Sequence, residues 1–212
     1  MARPRTRLAM AAVLAIGVFA VLAILVAVHP EPFRLDRAAA RAARDLRSGA
    51  LTAAMRTVSF LGSFPAISIQ IAVIGGAILL IRRDPRPGLW LLATALGAWI
   101  SSNGFKALLD RPRPEPGLVD AGGAAFPSGH ATQGTAYFVM LAVVLAAALP
   151  RPWRYPAAWL AAAVGILSGL SRIYLGVHWA TDVLGGFALG LAWSCALLAA
   201  RPGPPAPAVA EP

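Results

Sequence analysis

A chain of 212 residues that is 58% hydrophobic and only 13% charged fits one domain but is too apolar for an ordinary water-soluble protein. Its formal charge of +10 would suggest nucleic acid in a soluble chain, yet the basic residues punctuate apolar runs instead of lining a groove, which excludes that partner and points to a membrane protein. Cys195, the only cysteine, falls inside an apolar run, so neither a disulfide framework nor a thiolate metal site is expected.

Three arginines in Met1 to Arg7 precede the apolar run Leu8 to Val28, which has the length of a membrane span and no small-x-small cleavage site before His29. It is read as an uncleaved first span with the N-terminus inside. From His29 to Ala50 the arginines at 34, 37, 41, 44 and 47 recur on one helical face. That stripe suits either a helix lying among anionic lipid head groups or a merely solvated face. Leu51 to Ser63 reads as a short helix and turn, and Phe64 to Ile81 as a second span. Arg82 to Pro87 is a basic turn on the inner side, and Gly88 to Leu109 is a third span whose far end holds Ser101, Ser102, Asn103 and Lys106. Such a polar cluster is costly against lipid and is expected to face a cavity.

Asp110 to Gly129 is a polar loop on the outer side, stiffened by prolines at 112, 114 and 116. His130 to Leu149, Tyr155 to about Gly169, and Ala180 to Ala200 are the fourth, fifth and sixth spans. The expected fold is therefore an all-α integral membrane protein of about six transmembrane helices. Residues 1–200 form its single domain, and 201–212 form a Pro/Ala-rich, disordered tail inside the cell.

The unusual residues recur at the same ends of these spans. Ser171 to Asp182 sets Arg172, His178 and Asp182 in otherwise apolar sequence. If this segment is helical, His178 and Asp182, four apart, share one face, and the carboxylate can orient the imidazole and leave its other nitrogen free to attack. Lys106, Arg113, His130, Arg172, His178 and Asp182 all map to the outer ends of spans three to six and are expected to form one site. Lys106 is the only lysine among 19 basic residues. With Pro127-Ser128-Gly129-His130 opening a helix, where free N–H groups bind anions, the set suits a phosphate. Lys106, Arg113, Ser128, Gly129 and Arg172 would bind it, His178 would attack phosphorus, and His130 would protonate the leaving oxygen. No carboxylate cluster suits magnesium or a metal pair, so neither metal nor cofactor is expected. Arg111, Asp110, Glu115 and Asp120 read as solvated loop charges. Tyr174 and Trp179 read as interfacial aromatics, and Asn103 as lining the cavity or bonding a neighbouring span.

Lys106-(six residues)-Arg113-Pro114, Pro127-Ser128-Gly129-His130 and Ser171-Arg172-(five residues)-His178-(three residues)-Asp182 together resemble the three-part signature of the type 2 phosphatidic acid phosphatase family, related to vanadium haloperoxidases. The resemblance runs from Lys106 to Asp182 without a departure at a signature position. It implies a six-helix membrane enzyme with the same residue roles as those above. The expected activity is removal of a terminal phosphate from a lipid phosphate or diphosphate, through a phosphohistidine, at the outer face of a prokaryotic cytoplasmic membrane. A polyprenyl diphosphate such as undecaprenyl diphosphate, phosphatidic acid and phosphatidylglycerol phosphate are the leading substrates. Two alternatives stay open: a phosphotransferase using the same residues, and a lipid-binding or lipid-translocating protein with a dead site.

Overall fold

Polar punctuation divides the apolar sequence into helices. Ser48, Ser63 and Ser128 each stand just before one and accept a hydrogen bond from its first turn. Prolines at 65, 87 and 152 occupy first turns, where the missing N–H costs nothing. The resulting computed structural model describes residues 4–114 and 117–201. Among the described residues there are eight α-helices: α1 (Pro4–Val28), α2 (Arg34–Asp45), α3 (Gly49–Leu61), α4 (Phe64–Arg82), α5 (Arg86–Leu108), α6 (Gly129–Ala148), α7 (Arg151–Tyr174) and α8 (Ala180–Ala200). Apart from Arg201, the expected disordered tail lies outside the described residues, as does Glu115.

Five helices, α1, α4, α6, α7 and α8, are long and apolar enough to cross a membrane. The expectation of about six spans also counted α5. Its end carries Ser101, Ser102, Asn103 and Lys106, so no membrane-length stretch of it is as apolar as the best stretch of each of the other five. Its 23 residues nevertheless reach ~35 Å at the helical rise. A short connection at 83–85 returns it alongside α4, so packing, not its own composition, carries α5 through the bundle.

The central helix is α6. Its Tyr137, Phe138, Met140 and Leu141 pack with Ile67 of α4, Leu91 and Ala95 of α5 and Ala161 of α7. On the opposite flank Phe19 and Val26 of α1 meet Phe126, Ala188 and Leu189. Val13, Val21 and Ile24 of α1, Ile69 and Val73 of α4, and Trp159 and Leu160 of α7 are exposed, an outer surface for acyl chains. Close approach of α8 to α6 requires glycine. A Cβ at Gly190 would stand 2.4 Å from the Thr132 carbonyl oxygen, and one at Gly186 would stand 2.7 Å from that of Ser128. This contact sets the distance between the start of α6 and the start of α8, where the unusual side chains lie.

The segment before α3 departs from its expected role as a purely interfacial or solvated helix. Arg34, Arg37, Arg41 and Arg44 of α2 are exposed as expected, but Asp36 is fully buried and Ala43 nearly so. α2 is thus bolted to the bundle through one carboxylate. Tyr174, expected at the interface, is buried instead, and its hydroxyl meets Thr52 of α3 at 3.0 Å and accepts from the Ser48 N–H at 3.2 Å.

Candidate active site

The C-terminal ends of α5 and α7 and the N-terminal ends of α6 and α8 converge at one end of the bundle, under the loop that joins α5 to α6. They enclose a cavity of about 480 Å³ lined by Asn103, Lys106, Arg113, Gly129, His130, Arg172 and His178, among others. Lys106, Arg113, His130, Arg172 and His178, distant in sequence, therefore share one space, whereas Asp182 and Ser128 do not line it.

His178 is held between two helix caps. α7 ends in a Schellman motif: the Gly176 N–H donates to Ile173, the Val177 N–H donates to Arg172, and Gly176 adopts φ 72°, which a side chain would strain. The chain then enters α8 through a cap in which Asp182 Oδ2 accepts from the Trp179 N–H at 2.8 Å. Sequence reasoning put His178 and Asp182 on one helical face; in the structure His178 precedes α8 and the cap supplies the proximity. Nδ1 of His178 lies 3.5 Å from Asp182 Oδ2, close to the carboxylate but without a hydrogen bond. Nε2 lies 3.0 Å from Arg113 Nη1. A guanidinium only donates, so Nε2 accepts and Nδ1 carries the proton. The lone pair aimed into the cavity is the one a nucleophile needs.

The cations are fixed from different elements. Arg113 donates to the carbonyls of Gly122, Gly123, Ala124 and Val177. Lys106 Nζ donates to the Ala124 carbonyl at 2.6 Å. Arg172, in the last turn of α7, is 7% exposed and donates to Ser59 Oγ of α3 at 2.8 Å, while its Nε has no partner. Ser59 is a supporting residue that sequence reasoning missed, because its partner lies 113 positions away. Ser128 differs from the expected ligand set in orientation: it is fully buried, and its hydroxyl accepts from the Ala131 N–H as the cap of α6. Its own N–H donates to the Asp182 carbonyl at 3.0 Å, tying the starts of α6 and α8 together. Gly129 and His130, in the first turn of α6, face the cavity.

Arg111 is a correction. Read as a solvated loop charge, it is instead 1% exposed and forked between two carboxylates, Asp36 at 2.7 Å and Asp182 at 2.6 Å. It also donates to Thr181 Oγ1 at 2.7 Å. Asp110 and Asp120 are exposed as expected, with Asp120 at the cavity rim. Asn103 lines the cavity and donates to Trp99 in its own helix, not to a neighbouring span. Trp179 is half-buried and donates to the Pro112 carbonyl.

Burial, then the charges of Arg113, Lys106 and Arg172, holds His178 well below its ordinary value of 6.5, so its imidazole is neutral near pH 7. Burial likewise lowers Arg113 from its ordinary value, opposed by Asp182. Among the described residues no group of three or more His, Cys, Asp or Glu side chains is placed to hold a metal ion. A neutral nucleophilic nitrogen facing three cations is an arrangement for attack on an anionic, tetrahedral centre.

Residues 66–203 match the PAP2 superfamily. Phosphatidylglycerophosphatase B of Bacillus subtilis (strain 168) is 31% identical over 174 residues, covering 80% of this chain and 85% of that protein. Lipid A 1-phosphatase of Rhizobium etli is 29% identical over 114 residues, 49% of this chain and 45% of that protein. The crystal structure of the transmembrane PAP2 type phosphatidylglycerolphosphate phosphatase from Bacillus subtilis superposes with a TM-score of 0.80 at 29% identity, covering 88% of this chain and 94% of that one. Aquifex aeolicus LpxE superposes with a TM-score of 0.65 at 19% identity, covering 78% and 96%, and shares the fold.

Proposed function

The chain belongs to the PAP2 superfamily, and from that footing we propose that it is a membrane lipid phosphatase working through a phosphohistidine at His178. The observation that carries this reading is the placement of His178: Nδ1 lies 3.5 Å from Asp182 Oδ2, and Nε2 lies 3.0 Å from Arg113 in a cavity ringed by Lys106, Arg113 and Arg172.

The terminal phosphate of a lipid enters the cavity and its oxygens take the donors of Lys106, Arg113 and Arg172, with the first N–H groups of α6 at Gly129 and His130. Arg113 then exchanges Nε2 of His178 for phosphate oxygen, which frees the lone pair for in-line attack. The P–N bond forms as the bond from phosphorus to the lipid oxygen breaks, and His130 gives its proton to that leaving oxygen. The imidazole becomes cationic on bonding phosphorus, and the Asp182 carboxylate stabilises it. Water then attacks phosphorus, returns a proton to His130, breaks the P–N bond and leaves as orthophosphate. Ser128 contributes by capping α6 and aiming its amides.

The relatives named phosphatidylglycerophosphatase B and lipid A 1-phosphatase favour a phosphomonoester on a lipid head group, with phosphatidylglycerol phosphate first among the candidates. We assign the site to the outer face of the cytoplasmic membrane. The short connections at the other end of the bundle are flanked by Arg82, Arg83 and Arg86 and by Arg151 and Arg154, the pattern of cytoplasmic turns. We read residues 1–200 as one domain, a reading supported by the packing of α1 on α8.

The test is phosphate release by purified protein from phosphatidylglycerol phosphate, phosphatidic acid, lipid A and undecaprenyl diphosphate, with EDTA present and His178→Ala alongside. Release that survives EDTA and disappears in the variant is expected. Near-normal release by His178→Ala would overturn the assignment.

A further inference from the structure

Of the two acidic residues in α2, Asp45 is exposed and Asp36 is fully buried. A carboxylate turned inward on a helix whose arginines face outward needs compensating partners. Asp36 Oδ2 accepts from Arg111 Nη2 at 2.7 Å and from the Phe33 N–H at 3.0 Å. Oδ1 accepts from the Thr181 N–H at 2.8 Å and lies 2.9 Å from Thr181 Oγ1. One carboxylate therefore caps α2 and also the start of α8, one residue before Asp182.

The charge count in this buried cluster decides what that does. Arg111 lies between Asp36 and Asp182, so one cation faces two anions. Were Arg111 paired with Asp182 alone, the pair would be neutral and the field reaching Nδ1 of His178 small. With Asp36 on the other edge of the guanidinium, the cluster carries a net negative charge, and Asp182 presents it 3.5 Å from Nδ1. The Thr181 amide bond adds a geometric constraint, because it fixes the first turn of α8 and hence the direction of the Asp182 side chain.

We infer that Asp36 is a positioning residue for the reaction: acting through Arg111 and Thr181, it keeps Asp182 aimed, and the buried cluster net negative, against the imidazole that becomes cationic in the phosphohistidine. The inference rests on His178 being the nucleophile. Asp36 lies outside every motif of the signature and does not line the cavity, so it acts on the reaction only through others.

The experiment uses the full chain in detergent with dioctanoyl phosphatidic acid as the probe. Asp36→Asn keeps the shape and an acceptor for Thr181 but removes the charge. It should lower kcat on the order of 10- to 100-fold, the scale for partners one shell beyond a working histidine, with KM changed less than about twofold because the cations are untouched. In an Asp182→Asn background the same change should cost little more, since the carboxylate through which it acts is gone. A merely structural Asp36 predicts equal fold-losses in both backgrounds, or a loss confined to thermal stability with kcat intact, and either result overturns the inference. If Asp36→Asn yields no folded protein, Thr181→Val decides, because it leaves all three charges and removes the hydroxyl bridge. A smaller but equally non-additive kcat loss supports the inference, and an unchanged kcat refutes it. His178→Ala runs in parallel: activity surviving there sinks the nucleophile assignment itself, whereas its loss beside an unaffected Asp36→Asn sinks only this inference.

Discussion

Replacing Arg111 by methionine removes the only cation between two fully buried carboxylates while nearly preserving side-chain volume. The guanidinium contacts Asp36 at 2.7 Å, Asp182 at 2.6 Å, Thr181 Oγ1 at 2.7 Å and the Pro30 carbonyl at 3.3 Å. Breaking a buried ion pair from one side costs about 3–5 kcal/mol, because the partner's charge is left uncompensated, and here two partners are left. Against a total stability of about 5–15 kcal/mol this is a large fraction. For a chain of this size each kcal/mol moves Tm by about 2–4 °C, so Arg111→Met should melt about 6–20 °C below the parent. The assay is thermal unfolding of both proteins in the same detergent. Adding Asp36→Asn to Arg111→Met should recover part of the loss, because the second change removes a charge the first one stranded. A Tm within about 1–2 °C of the parent for Arg111→Met, about the shift for half a kcal/mol, would refute the reasoning and return Arg111 to the role of a loop charge.

Three other outcomes are expected. Because His178 is held well below 6.5 by burial and then by Arg113, its neutral, nucleophilic form persists as pH falls, and the acid limb of kcat/KM lies below 6.5. Arg113→Met should move that limb to higher pH, whereas an unmoved limb would mean that another group sets it. Gly190→Ala places a Cβ 2.4 Å from the Thr132 carbonyl and should cost about 1–3 kcal/mol through forced separation of α6 and α8, read as a lower Tm. Changing Arg34, Arg37, Arg41 and Arg44 together to glutamine should weaken activity chiefly on anionic vesicles, and an equal loss in neutral detergent would point to folding instead.

What sequence exposed and what it concealed follow from the range of each interaction. Lys106, Arg113, His130, Arg172, His178 and Asp182 were legible because ionisable groups in apolar sequence need a cavity, and because spans of fixed length put them at one end. Helix limits were legible where polar residues and prolines interrupt the apolar runs, as between Leu51 to Ser63 and Phe64 to Ile81; the capping by Ser63 and Ser128 emerged only in the structure. Arg111 was misread because its partner Asp36 is 75 positions away, in a helix whose periodic arginines announced only a surface face. Ser59 escaped for the same reason. The turn that presents His178 hides its geometry in Gly176, an unremarkable glycine until its φ of 72° is known. α5 was counted as a span from its length, yet its composition alone does not qualify it; α4 and α6 on either side carry it.

The central claim, covalent attack by His178, is tested most directly by mixing the protein with a lipid bearing a radiolabelled terminal phosphate, quenching within the first turnover and following label on the polypeptide. The account predicts a transient label at His178, stable to base and labile to acid as a P–N bond is, absent in His178→Ala and longer-lived in His130→Ala, where water attack lacks its base. Full release of labelled phosphate with no label on the protein at any time, together with hydrolysis by His178→Ala, would contradict it.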